Sequence, residues 1–228
     1  AEATSRAYWE YFQTQCPDEF KETQVIALQV HGPGMFHSAT KQIKSLADLK
    51  GMKVRGPTRQ VTKMLGAVGA TPVGMPLPGI PDALSKGTIE ACAIPWEVVP
   101  SVKVHELTKF HSEFDNTGGA LYTTTFVMAM NKAKYESLDA DLKKVIDANS
   151  GLATSGWLGK TQQGNDAVGR KAAVDRGNTI YQFTSAQRDE FIKLSAQIDD
   201  EWVADMDKRG FKGAQLLSTA KALIAKYK

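Results

Sequence analysis

Leu46-Ala47-Asp48-Leu49-Lys50-Gly51-Met52-Lys53-Val54-Arg55-Gly56-Pro57 is the stretch on which the reading of the chain turns. Met52 to Val54 is a short apolar strand entered by a turn at Lys50-Gly51 and stopped by Gly56-Pro57, so Arg55 falls at the strand's C-terminal end. Ligands of open α/β sheets bind at that edge. Arginine suits a carboxylate there, because its planar fork offers two parallel charge-assisted hydrogen bonds and keeps its proton. Thr58 is placed to cap a helix over Arg59 to Val68, whose N-terminal dipole favours an anion. The plain alternative is an arginine in a surface ion pair.

Around this stretch, strands and helices alternate. Ser5 to Gln15 reads as a helix and Gln24 to Val30 as a buried strand ended by Gly32-Pro33-Gly34. Ser45-Leu46-Ala47-Asp48 has the form of a capping box. After the Arg55 strand come the helix Arg59 to Val68, the strand Thr71 to Met75, a short helix from Ile80 to Ser85 and the strand Ile89 to Ile94. Trp96 to Phe110 reads as a helix interrupted near Pro100, and Tyr122 to Met130 as a strand. One long helical pattern runs from about Ala140 to about Arg176, weakly broken by Gly151, Gly156 and Gly164. The strand Thr179 to Phe183 and helices to Lys208 and from Ala214 to Lys226 complete the chain. Strands separated by helices predict an α/β fold with a mainly parallel sheet.

The order Asp48-Leu49-Lys50-Gly51-x-Lys53-x-Arg55, then Gly69-Ala70-Thr71-Pro72-Val73-Gly74-Met75-Pro76, then Ile94-Pro95-Trp96-Glu97 resembles the second lobe of substrate-binding proteins of tripartite ATP-independent periplasmic (TRAP) transporters. The resemblance implies a two-lobed periplasmic binding protein with crossing strands and a long lobe-spanning helix. It also implies that the residue matching Arg55 holds the solute's carboxylate, that the lobes close over the solute, and that the closed form delivers it to membrane subunits of the transporter. Relatives open with first-lobe elements that would precede Ala1. On this basis residues 1–31 read as a remnant of the first lobe and 32–121 as the second lobe with the carboxylate site. Residues 122–176 read as the crossing strand and spanning helix, and 177–228 as the C-terminal strand and helices. A chain lacking those opening elements is expected to expose apolar surface and to dimerise or aggregate.

Trp96 is the second candidate, at the same strand edge as Arg55, with a flat indole face to stack on a solute; burial as core is its alternative. Better-known sialic-acid receptors of the family carry asparagine where Ile94 stands. That departure favours a smaller or aromatic carboxylate over a polyhydroxylated one. Met35 or Phe36 would make one side of the cleft apolar, Leu77 matches an aromatic position of some relatives, and Tyr122 and Thr123 to Thr125 could donate hydroxyl hydrogen bonds. For each of these a core or loop role is at least as good a reading.

Composition narrows the function further. The chain has 228 residues, 42% hydrophobic and 23% charged, with a net charge of +3 and the signs interspersed. That argues against nucleic acid and acidic membrane surfaces as partners and weakly favours an anionic solute. No apolar run approaches the roughly 18 residues of a membrane span, and Ala1-Glu2-Ala3 enters directly on a helical pattern, as a mature or truncated start would. Cys16 and Cys92 fall in different structural units, so no disulfide is expected. His31, His37, His105 and His111 lack ligand spacing, so no metal or other cofactor is expected. No Gly-x-Ser-x-Gly, phosphate loop, His-Glu-x-x-His or dinucleotide fingerprint occurs. Glu90 and Glu97 flank the candidate cleft and keep an α/β enzyme acting on a small carboxylate as the runner-up reading. The expectation is a periplasmic solute receptor and not an enzyme.

Overall fold

The computed structural model describes residues 1–115 and 120–228. Its strands are, in chain order, β1 (Thr23–Val30), β2 (Gly34–Ser38), β3 (Lys53–Gly56), β4 (Thr71–Gly74), β5 (Ala91–Pro95), β6 (Phe110–Phe114), β7 (Thr125–Asn131) and β8 (Thr179–Phe183). The chain divides into two compact units, residues 1–31, 125–163 and 203–228 in the first and 32–124 and 164–202 in the second.

The first unit is built on β1, which pairs antiparallel with β7 from Thr23↔Asn131 to Val30↔Thr125 and is irregular between Val25 and Ala27. On its other side β1 has no strand partner among the described residues, yet three of its backbone groups there find partners from other elements. Ser155 Oγ accepts the Leu28 N–H and Ser5 Oγ the Val30 N–H, each at 3.0 Å, and Gly151 N–H donates to the Ile26 carbonyl at 2.8 Å. Both serines are fully buried, as backbone groups away from water require. Phe126, Val127 and Met128 on β7 are exposed.

The expected long helix is three segments, Ala140–Ala148, Leu152–Gly164 and Asp166–Asp175. The sharp break is at Gly151, whose φ of 99° no helix accommodates. Gly156 interrupts nothing, because it lies inside Leu152–Gly164.

The second unit carries a six-stranded sheet in the order β4-β3-β5-β2-β6-β8. It is mixed rather than mainly parallel. β3 runs parallel to β4 and β5, and β6 parallel to β8, but β2 is antiparallel to both β5 and β6. β2 and β6 were not expected as strands. Gly34-Met35-Phe36 reads as a loop after a glycine-proline stop, and Phe110 as the end of a helix; Trp96 to Phe110 instead forms the turns Trp96–Val98 and Val104–Leu107. Alternation along β5 sends Ala91 and Ala93 into a core with Phe36, Val54, Leu65, Phe183 and Phe191, and sends Cys92, Ile94 and Trp96 into another with Met35, Ile80 and Val104.

β2 and β6 are held together by a buried polar chain. His37 Nε2 lies 3.1 Å from the Ile94 carbonyl, His37 Nδ1 lies 2.7 Å from His111 Nδ1, and Asn178 Nδ2 lies 3.0 Å from His111 Nε2. One proton arrangement satisfies every ring nitrogen. Asn178 donates to His111, the His111 Nδ1–H to His37 Nδ1, and the His37 Nε2–H to Ile94, with both rings neutral. An added proton on His37 Nδ1 would set two N–H groups head to head. Burial lowers both pKa values, well below 6.5 for His37 and to about 4 for His111, where the charge of His105 also contributes.

Acid therefore weakens the fold. The unfolded chain takes up the His111 proton near 6.5 and the folded chain only near 4, so between these the unfolded state holds more protons and stability falls as pH drops. At about 1.4 kcal/mol per pH unit, the loss is on the order of 3 kcal/mol. Asp166, raised by burial from 3.8 to about 6, acts in the opposite direction. Thermal melts between pH 7 and 4 should thus show a steeper acid loss in the wild type than in His111→Gln, a comparison that leaves Asp166 common to both; identical slopes would exclude His111 as the cause.

Candidate functional site

Arg55 stands in β3 between β4 and β5, and both neighbours hold its fork. Nε donates to the Met75 carbonyl just past β4 at 3.1 Å, and Nη1 to the Ala93 carbonyl on β5 at 3.0 Å. The residue is 5% exposed. These bonds use two of the five guanidinium N–H groups, and no carboxylate pairs with Arg55 among the described residues. The surface ion pair is therefore not what the fold builds. Burial lowers the guanidinium pKa from its usual value, but an arginine stays charged. Thr58 Oγ1 accepts the Val61 N–H at 3.2 Å and so caps the helix Arg59–Ala67 that follows.

Cys92 is the cross-strand neighbour of Arg55. Burial pushes its thiol up to about 12 despite the nearby guanidinium, so it is neutral and does not compete as an anion. Tyr122 is raised by burial, against the opposing charge of Arg55. Its ring lies over Gly34, whose amide donates to the Tyr122 carbonyl at 3.0 Å, and a side chain on Gly34 would run into that ring. Leu77 begins the turn Leu77–Gly79, two residues beyond the carbonyl that holds Arg55, and packs half-buried on the Cys92 and Trp96 cluster.

The structure thus brings together Arg55, Tyr122 and the Met75 carbonyl, while Leu77 lies with the Trp96 cluster. Thr123 is exposed on the approach to β7. Trp96 and Phe36 are elsewhere. Trp96 is 1% exposed, with its ring 4.8 Å from His37 and 4.9 Å from His111, so its indole has no face open for stacking on a solute in this conformation. Phe36 is fully buried 6.0 Å from Phe191, because the pleat of β2 turns it into the opposite core. Cys92 was not singled out from the sequence. Only its register opposite Arg55 marks it, and that register is legible only once β3 and β5 are paired.

Gly34→Ala should force the Tyr122 ring aside. Overpacking at this contact should destabilise the protein by about 1–3 kcal/mol, readable as a lower midpoint in urea unfolding.

The profile of the DctP family, bacterial extracellular solute-binding protein family 7, matches residues 2–205. A TRAP solute-binding protein from Rhodoferax ferrireducens T118, solved with copurified benzoate, is 68% identical over the whole of this chain and 70% of its own, with a TM-score of 0.98. A marine metagenome TRAP solute-binding protein specific for aromatic acid ligands, solved with 3-hydroxybenzoate, is 47% identical over the whole chain and 71% of its own, with a TM-score of 0.96. The outer membrane transporter protein TsaT of Comamonas testosteroni is 25% identical over 99% of this chain, which spans 66% of its length. With a family profile running through all but the C-terminal helix region and a near-superimposable relative, the chain belongs to the DctP family of bacterial extracellular solute-binding proteins.

Proposed function

We propose that this protein is a periplasmic receptor for a small aromatic monocarboxylate, which Arg55 holds and which the receptor passes to the membrane subunits of a TRAP transporter. The observation that carries the reading is the buried Arg55 charge. Two backbone carbonyls orient it, no protein carboxylate neutralises it among the described residues, and its remaining donors suit one bidentate carboxylate. A buried cation without a counter-ion is costly, and an anionic solute offsets that cost. The aromatic part of the reading draws on the benzoate and 3-hydroxybenzoate found in the 68% and 47% identical relatives. Beside Arg55, the ring of Tyr122 supplies surface suited to a flat ring, while Trp96 supports the site from the core. The family and its solved relatives are transporter receptors, not enzymes.

Two measurements test this. Arg55→Lys should weaken benzoate binding by more than about tenfold in calorimetry, because a point ammonium cannot reproduce the fork; unchanged affinity would remove Arg55 from the site. In a thermal-shift screen, benzoate and hydroxybenzoates should raise the melting temperature more than sialic acid or other polyhydroxylated acids. A preference for sugar acids would overturn the aromatic reading.

A further inference from the structure

The turn that follows β5 is held with more polar contacts than a structural turn needs. Trp96 Nε1 donates to Glu113 Oε2 at 2.8 Å. Glu113, 8% exposed on β6, is gripped in turn by Arg170. The Arg170 Nε–H reaches Oε1 at 3.1 Å and Oε2 at 3.2 Å, and its Nη2 reaches Oε1 at 3.0 Å. Arg170 belongs to the helix Asp166–Asp175, and that helix fixes the same turn twice more. Asp166 Oδ1 accepts the Glu97 N–H at 2.9 Å, and a side chain on Gly169 would collide with the Trp96 carbonyl.

This assembly bears on Arg55 through one short piece of strand. Ala93, whose carbonyl accepts from Arg55 Nη1, is three residues before Trp96 on the same strand end, and Arg55 is in register with Cys92 just before Ala93. If Trp96 tilts, Ile94 and Pro95 carry the movement to the Ala93 carbonyl. A charge-assisted fork onto a nearly buried carboxylate is directional as well as strong, and so suits a part whose task is to fix an orientation.

We propose that Glu113 and Arg170 are positioning residues of the solute site: they lock the Trp96 indole, and through the end of β5 they hold the Ala93 carbonyl where it aims the Arg55 fork. The proposal rests on the reading of Arg55 as the carboxylate anchor. It assigns Trp96 a role in solute affinity without contact to the solute.

Benzoate calorimetry on the full chain, well below the melting transition of every variant, tests it. Glu113→Gln keeps the size of the side chain and loses the charge that Arg170 grips. It should weaken benzoate about tenfold, with the binding stoichiometry of the wild type retained. Arg170→Lys, which restores charge but not the fork, should fall between wild type and Arg170→Gln. In a Trp96→Phe background Glu113→Gln should cause no further loss, since the coupling runs through the indole N–H. Unchanged affinity with a lowered melting temperature would show a purely structural clasp and overturn the proposal, as would additive losses in the Trp96→Phe background. Should Glu113→Gln fail to fold, Arg170→Gln at the half-exposed end of the clasp carries the same comparison. Failure of the wild type itself to bind benzoate overturns the carboxylate reading and this proposal with it. Wild-type binding with unaffected variants overturns the proposal alone.

Discussion

A cation is buried at the C-terminal edge of β3, with no protein anion to balance it among the described residues, and the arrangement of β3, β4 and β5 is what makes that tolerable. Taking a guanidinium out of water costs several kcal/mol unless its donors are satisfied. Here the two parallel neighbours of β3 each contribute a carbonyl, from Met75 and from Ala93. Carbonyl dipoles recover part of the lost hydration and fix the plane of the fork, but they carry no net charge. The adjacent Cys92 thiol stays protonated. On the proposed reading the site is preorganised, and a carboxylate from solution would supply both the charge and the acceptors that the protein withholds.

The sheet behind Arg55 is organised around polar groups as much as apolar ones. His37, His111, Ser112 and Glu113 are all buried at the pairing of β2 with β6, and each has a defined partner: Ile94, Asn178, the Ile43 carbonyl and Arg170. Satisfied networks of this kind cost little and tolerate only one register, since a slip by one residue would leave every member unpaired. That explains how an antiparallel β2 can sit between β5 and β6 in a sheet whose outer pairs are parallel.

The same polar residues explain what the sequence conceals. β1, β3, β4, β5 and β8 are legible as apolar runs between glycine, proline and charge, and Ser45 and Asp48 form the capping box their spacing announces. β6 reads Phe-His-Ser-Glu-Phe, which looks like a solvated segment unless the partners of its three central residues are known. The buried partners come from Gln42, Trp96, Arg170 and Asn178, distant in sequence, and no local pattern encodes them. Arg55 was readable because its position depends on one strand and one stop signal. The structure gives Trp96 and Phe36 the core role that stood as the alternative for each, because their orientation depends on β2, the strand that the Gly32-Pro33-Gly34 punctuation hides.

These facts bear on what such a site accepts. On the proposed reading Arg55 offers one fork, which one carboxylate would fill. The neighbouring groups are a thiol held neutral and a phenol held neutral. A solute rich in hydroxyls would lose water around each of them without finding a matched partner for all, a cost of about 1–3 kcal/mol per unsatisfied group. A flat ring carrying one carboxylate leaves no such debt. On the proposed reading, the anchor and its surroundings point independently to the same ligand chemistry.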